Sequence, residues 1–171
     1  MDLFETRCDP GLDLSKAERL AAQQRINKSI LEALDNVTVL SEDHILRRMQ
    51  SVISAILRTN FYQQEQSGES KPYISIKLSP RDIEGIPKPA PLYEIFVYAP
   101  RFEGVHLRGG KVARGGLRWS DRIEDFRTEV LGLVKAQQVK NALIVPVGAK
   151  GGFVPKLLPV NGVREEIQAE G

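Results

Sequence analysis

The sequence predicts a mixed α/β fold in which an N-terminal helical hairpin precedes a core of interleaved strands and helices. Three observations carry the prediction. Apolar residues recur at helical spacing up to about residue 57, alternate from Tyr73 onward, and return to helical spacing after residue 121, before a short apolar run at 142–147. Hydrophobic residues make up 42% and charged residues 27% of the chain, which excludes a disordered or fibrous class. At 171 residues there is material for a domain of ordinary size with a smaller helical appendage. The organisation read from this is a helical segment over 1–68, an α/β core over 71–160 and the start of a helix over 161–171.

Ser15 stands as N-cap of a first helix running to about Leu34, with Ala17, Leu20, Ala21, Ile30, Leu31 and Leu34 as its apolar positions. Ser41 is placed to cap a second, with Glu42 and Asp43 in its first turn and Ile45, Leu46, Met49, Val52, Ile53, Ile56 and Leu57 along one face. The polar stretch QQEQSGES at 63–70 reads as a surface loop or linker. Tyr73, Ile74, Ile76 and Leu78 then alternate as a strand, SPRDIEGIPKPAP holds four prolines and must be loop, and YEIFVY at 93–98 reads as a second strand. A short strand near Val105 to Leu107 leads into a glycine-rich turn. Asp121 and Glu124 form a D-x-x-E capping box for a helix over about 122–141. ALIVPV at 142–147 reads as a buried strand delivering the chain into a GAKGG turn.

Charge is unevenly placed. Residues 101–156 hold eleven Lys and Arg against five acids, and no acid occurs from Val130 to Lys156, where Lys135, Lys140, Lys150 and Lys156 lie. Such a segment expects an anion: a small carboxylate, a phosphate or a nucleic-acid backbone. No apolar run approaches the ~18 residues of a bilayer span, and the acidic start MDLFETRCDP does not read as an export signal, so a cytoplasmic setting is expected. One cysteine, Cys8, makes neither an internal disulfide nor a metal cluster, and no metal site is expected.

In the helix after the glycine turn, Ile123, Phe126, Val130 and Leu133 form a core-facing stripe whose continuation reaches Gln137 and Lys140. Either the helix emerges from the core there, with Lys140 near the negative end of its dipole, or the stripe ends in a cleft where both residues grip a carboxylate. Lys150, set among Gly148, Gly151 and Gly152, is either a solvated lysine in a tight turn or a lysine that a ligand reaches over bare backbone. The chain has neither a P-loop, since Gly rather than Ser or Thr follows the lysine, nor a G-x-G-x-x-G dinucleotide fingerprint. Arg114-Gly115-Gly116 shares its tripeptide with disordered RGG segments, but as a single copy flanked by strand and helix signals. Arg118 is expected to pair with Asp121 or Glu124, and His44 and His106 read as structural or exposed.

Residues 113–156, ARGGLRWSDRIEDFRTEVLGLVKAQQVKNALIVPVGAKGGFVPK, resemble the core of the large bacterial NAD-specific glutamate dehydrogenases. The resemblance extends through YEIFVYAPRFEGVHLRGGKV and, more loosely, through ILRRMQSVISAILRTNFYQ. Smaller glutamate dehydrogenases share the pattern more distantly: a K-G-G-L-R turn, a helix ending in Q-x-x-K-N, and a G-G-x-K-G-G turn. The resemblance implies a three-layer α/β substrate-binding domain of the amino-acid dehydrogenase type. It also implies oxidative deamination of L-glutamate to 2-oxoglutarate and ammonia with NAD as hydride acceptor. Lys150 then matches the catalytic lysine, Arg114 stands where those enzymes carry the lysine for the side-chain carboxylate, and Gln137 and Lys140 match residues that hold the α-carboxylate. Gly115 and Gly116 would let substrate lie against backbone. The family's catalytic aspartate lies downstream of the lysine, and residues 151–171 contain no Asp. The NAD-binding domain is likewise expected to be absent, so this chain alone is expected to be inactive, as part of a homo-oligomeric enzyme. The alternative is a non-enzymatic module that binds anions or nucleic acid through the basic 101–156 segment.

Overall fold

In the computed structural model of the chain, residues 2–140 and 147–158 are described, the side chain of Lys140 excepted. The expected helix at 161–171 and most of the apolar run at 142–147 lie outside the described residues; its last residue, Val147, opens a strand.

Helix α1 spans Asp2–Cys8, a segment whose sequence announces no element. Its seven residues are held by tertiary contacts rather than by propensity: Leu3 is buried, Arg7 Nε donates to the Ile56 carbonyl, and the Phe4 ring packs on Phe61 and Tyr62. Helix α2, Lys16–Leu34, starts where Ser15 predicts, and Glu18 closes a full capping box, its carboxylate accepting from the Ser15 N–H at 2.9 Å. Helix α3, Leu40–Ser54, departs from expectation at both ends. Val39 is its N-cap without a side-chain cap, so Ser41 lies inside the first turn. At the other end Ile56 and Leu57 leave the helix for strand β1, Ile56–Thr59. Helical spacing alone could not register this, because β1 is fixed by antiparallel pairing with β2, Ile74–Leu78, and by Ser79 N–H donating to the Ala55 carbonyl at 3.0 Å.

Strands β3, Tyr93–Tyr98, and β4, Phe102–Arg108, continue the antiparallel meander. Strand β7, Val147–Pro155, pairs antiparallel with β4 on one side. On its other side it pairs in parallel with two short strands, β5 (Ala113–Arg114) and β6 (Leu117–Trp119). The sheet is therefore mixed.

Helix α4, Phe126–Lys140, covers one face of this sheet. It begins four residues later than the sequence suggests, because Ser120 rather than Asp121 organises its approach. The buried Ser120 hydroxyl donates to Glu129 at 2.7 Å and accepts from the Arg122 N–H at 3.1 Å, and residues 122–125 form a turn closed by an Arg122–Asp125 ion pair. The buried stripe is accordingly Phe126, Val130, Leu131 and Val134; Ile123 is 50% exposed and Leu133 only partly covered. These residues pack on Val105, Leu107 and Val154, and burying Leu107 completely contributes on the order of 2 kcal/mol. Glu94, on the same face of β3, accepts both arms of the Arg127 guanidinium at 2.8 and 2.6 Å and so clamps α4 to the sheet. Helices α1–α3 gather at the β1 end. The described residues thus supply two of the three expected layers: the face of β3, β4 and β7 turned away from α4 is open among them. Among the described residues no helix is long and apolar enough to cross a membrane.

Candidate functional site

GAKGG is not a turn. It lies within the nine-residue strand β7, between β4 on one side and β5 and β6 on the other. Its glycines answer to crowding rather than to chain reversal. A Cβ on Gly148 would come within 2.8 Å of the Gln137 side chain, and one on Gly152 within 2.5 Å of Val130 Cγ2, so both positions are pressed by α4. A Cβ on Gly151 would meet Leu117 and, at 3.1 Å, His106 on the opposite face. Strand alternation puts Lys150, between Gly148 and Gly152, on the α4 face, flanked along the strand by two positions that have no side chain. It is partly exposed.

The other glycine pair joins β5 to β6 along the same strand. A Cβ on Gly115 would collide with the Ala149 carbonyl oxygen, whereas one on Gly116 would meet nothing within 4 Å. Gly116 instead offers its carbonyl to the Gly151 N–H at 3.1 Å. Only Gly115 is required by close approach. Arg114, exposed, lies opposite Gly148 in the parallel β5–β7 register. Gln137 links α4 to this edge, its Nε2 donating to the Arg114 carbonyl at 3.3 Å; its Oε1 is buried with no hydrogen-bond partner among the described residues.

Arg114, Gly115, Gly116, Gln137 and Lys150 therefore surround the N-terminal half of β7, with Lys150 two residues, about 6.6 Å, along the strand from Gly148. Lys140 ends α4, three residues beyond Gln137, but its side chain lies outside the described residues. The nearby acids are engaged elsewhere. Glu129 takes Arg118 at 2.9 Å, in place of the expected Asp121 or Glu124 pairing, Glu94 takes Arg127, and Glu103 takes Lys156 at 3.1 Å. Among the described residues neither Arg114 nor Lys150 has an ion-pair partner, so both leave positive charge uncompensated beside the N-terminal half of β7. His44 is exposed; His106 is half-buried on the face away from α4. Among the described residues no three of His, Cys, Asp and Glu gather as a metal site would need.

Sequence reasoning missed the Gln137–Arg114 link and the Ser120–Glu129–Arg118 network. The second had a readable signal, since Arg118 and Ser120 alternate around Trp119 in a strand and Glu129 is the first acid in α4.

Comparison with known proteins gives this edge a context. The family described as bacterial NAD-glutamate dehydrogenase, catalytic domain, matches residues 29–171. A protein of Pseudomonas aeruginosa named NAD-specific glutamate dehydrogenase is 64% identical over 168 residues, which is 98% of this chain and 10% of the relative. Proteins of the same name from Halomonas elongata and Mycobacterium tuberculosis are 58% and 52% identical, over 100% and 94% of this chain and 10% of each relative. The chain spans about a tenth of the length of these relatives. Their names lend no support to a nucleic-acid-binding module.

Proposed function

The chain belongs to the family of bacterial NAD-glutamate dehydrogenase catalytic domains, and we propose that it supplies the substrate-binding part of an enzyme that deaminates L-glutamate oxidatively to 2-oxoglutarate and ammonia. The sheet and α4 are read as part of an amino-acid dehydrogenase type of domain. A dicarboxylate needs two cationic anchors. Arg114 serves the side-chain carboxylate, where a planar fork can bind both oxygens. Gln137 and Lys140, one helical turn apart, serve the α-carboxylate. Gly115 and Gly116 keep the intervening surface free of side chains. Lys150, in its neutral form, serves as the base that activates water for release of ammonia. The observation that carries this reading is the β5–β7 register: it sets Arg114 opposite Gly148, beside Lys150, while the local acids are paired with other cations.

The names of the relatives imply NAD. These residues do not fit it: β6, α4 and the parallel β7 do form a strand–helix–strand unit, but the turn that opens α4, Ser120 to Asp125, contains no glycine and three acids, and the sequence has no G-x-G-x-x-G. The cofactor is assigned to polypeptide outside this chain, and no step is routed through it here. The chain alone is expected to produce no NADH from glutamate. Lys150→Ala in the longer enzyme is expected to lower kcat by ~10²–10⁴ while leaving KM for glutamate within a few-fold. A kcat within tenfold of the parent would remove Lys150 from the role of base.

A further inference from the structure

The face of the sheet turned away from α4 carries a row of paired positions across five neighbouring strands: Arg58, Lys77, Ile95, His106 and Gly151. Cross-strand partners point to the same side. The row divides into two chemical halves. Toward β7 it opens into a groove of about 360 Å³ lined by Ile95, Val97, Phe102, His106, Leu117 and Phe153, in which Leu117 is 72% exposed. Toward β1 it is cationic. Lys77 lies 3.9 Å above the Tyr93 ring, beside Arg58, and Arg108 joins them from β4, two residues beyond His106.

Apart from the Tyr93 ring under Lys77 and the Lys111 carbonyl, which accepts from Arg108 Nη2 at 3.0 Å, no described residue offsets these charges. Among the described residues none of Arg58, Lys77 and Arg108 has an ion pair, and Arg108 Nε is buried without a hydrogen-bond partner. Burial, then Arg58 and Arg108, hold Lys77 below its ordinary pKa, and burial followed by Arg108 does the same to His106; no carboxylate counters either. The covered face of the same sheet shows how such a surface is completed. There an apolar strip, Val105 and Leu107, sits beside one carboxylate, Glu94, and α4 brings both the apolar stripe and the opposite charge, Arg127. The open face has the same construction with the signs exchanged.

We propose that this face docks an amphipathic polypeptide segment of the same longer protein. Its apolar stripe lies in the Ile95–Phe153 groove, and its Asp or Glu side chains lie against Arg58, Lys77 and Arg108. A segment of the same protein is favoured over a small anion because the surface extends over five strands, and because the relatives carry about nine-tenths of their length outside the matched region. The covering segment must bring carboxylates, since an all-apolar one would bury three uncompensated cations.

The test uses the full polypeptide in which these residues occur, mixed as light and isotopically heavy copies. A carbodiimide joins amines to carboxylates in direct contact, and the joined peptides are identified by mass spectrometry. Lys77 is expected to join an Asp or Glu outside the described residues and within the same copy. In parallel, Val97→Cys is expected to react with a maleimide at least ~10-fold more slowly in the folded protein than in the unfolded chain. Three results overturn the proposal: a fast-reacting Val97→Cys, which leaves the face open; a Lys77 link that appears as mixed light–heavy peptides at the share expected for random pairing of copies, which makes it a subunit interface; or a protected cysteine with no Lys77 link, which means an occupant without carboxylates.

Discussion

Gly115 and Gly116 are neighbours in sequence, yet the structure assigns them opposite consequences on substitution. An alanine at 115 places its Cβ on the Ala149 carbonyl oxygen, whereas ordinary van der Waals contact begins near 3.4 Å. Neither partner is a flexible side-chain end, so the 114–117 backbone must retreat from β7 by about 2 Å. That movement breaks the Gly151 N–H to Gly116 carbonyl bond and strains the Gln137 bond to the Arg114 carbonyl. At about 1 kcal/mol net for each hydrogen bond, with about 1 kcal/mol or more of overpacking, Gly115→Ala should cost about 3 kcal/mol. Alanine at 116 meets open space, and its backbone is not in the left-handed region; the loss of unfolded-state entropy should leave the protein unchanged or stabilised by about 0.5 kcal/mol. Urea unfolding of the two variants reads the difference directly. With a slope of about 2 kcal/mol/M their midpoints should lie about 1.5 M apart. Midpoints that coincide within about 0.3 M would show that β5 does not approach β7 as described.

Two further consequences concern the sheet. The His106 pKa is depressed in the folded chain by burial and, secondarily, by Arg108, so the unfolded chain takes up the proton first as pH falls. This contribution to stability is complete above about pH 6.5 and is lost as pH drops from there through the lower folded value. Between pH 7.5 and 5.5 the parent should therefore lose more urea resistance than His106→Leu, and equal losses would refute the assignment. For the clamp on α4, Glu94→Gln and Arg127→Met should each destabilise by about 2–3 kcal/mol. A double-mutant cycle should return a coupling above about 1 kcal/mol, and a coupling near zero would mean that the bidentate contact does not hold α4.

Residue patterns exposed some of this architecture more readily than others, and the differences have physical causes. YEIFVY at 93–98 was readable in full, because aromatic and β-branched residues bounded by prolines leave few alternatives to a strand. Ser15 was readable because a cap is a local device, closed within four residues. Where the decisive partner is distant, the pattern misleads. Ile56 and Leu57 continue the helical spacing of α3, and only pairing with β2, some twenty residues later, turns them into a strand. Asp121 and Glu124 satisfy the capping pattern, yet the Ser120 hydroxyl finds a better partner in Glu129, so α4 starts a turn later and its buried stripe rotates from Ile123 and Leu133 toward Leu131 and Val134.

The glycines of the candidate site show the same distinction at the level of function. A glycine pair in a sequence signals either a backbone conformation that only glycine adopts or an approach that only glycine permits. In sequence GAKGG admits both readings, and the structure excludes the turn: all its glycines lie in a central strand and each faces a neighbour that a Cβ would strike. This changes what Lys150 can do. A lysine in a turn is free to swing with the loop. A lysine on a strand paired on both sides is carried by backbone that β4, β5 and β6 hold in place, and its nearest same-face neighbours on that strand are two hydrogen atoms. A fixed position is what a reacting group requires and what a solvated turn lysine lacks, so the strand placement is compatible with the role proposed for Lys150.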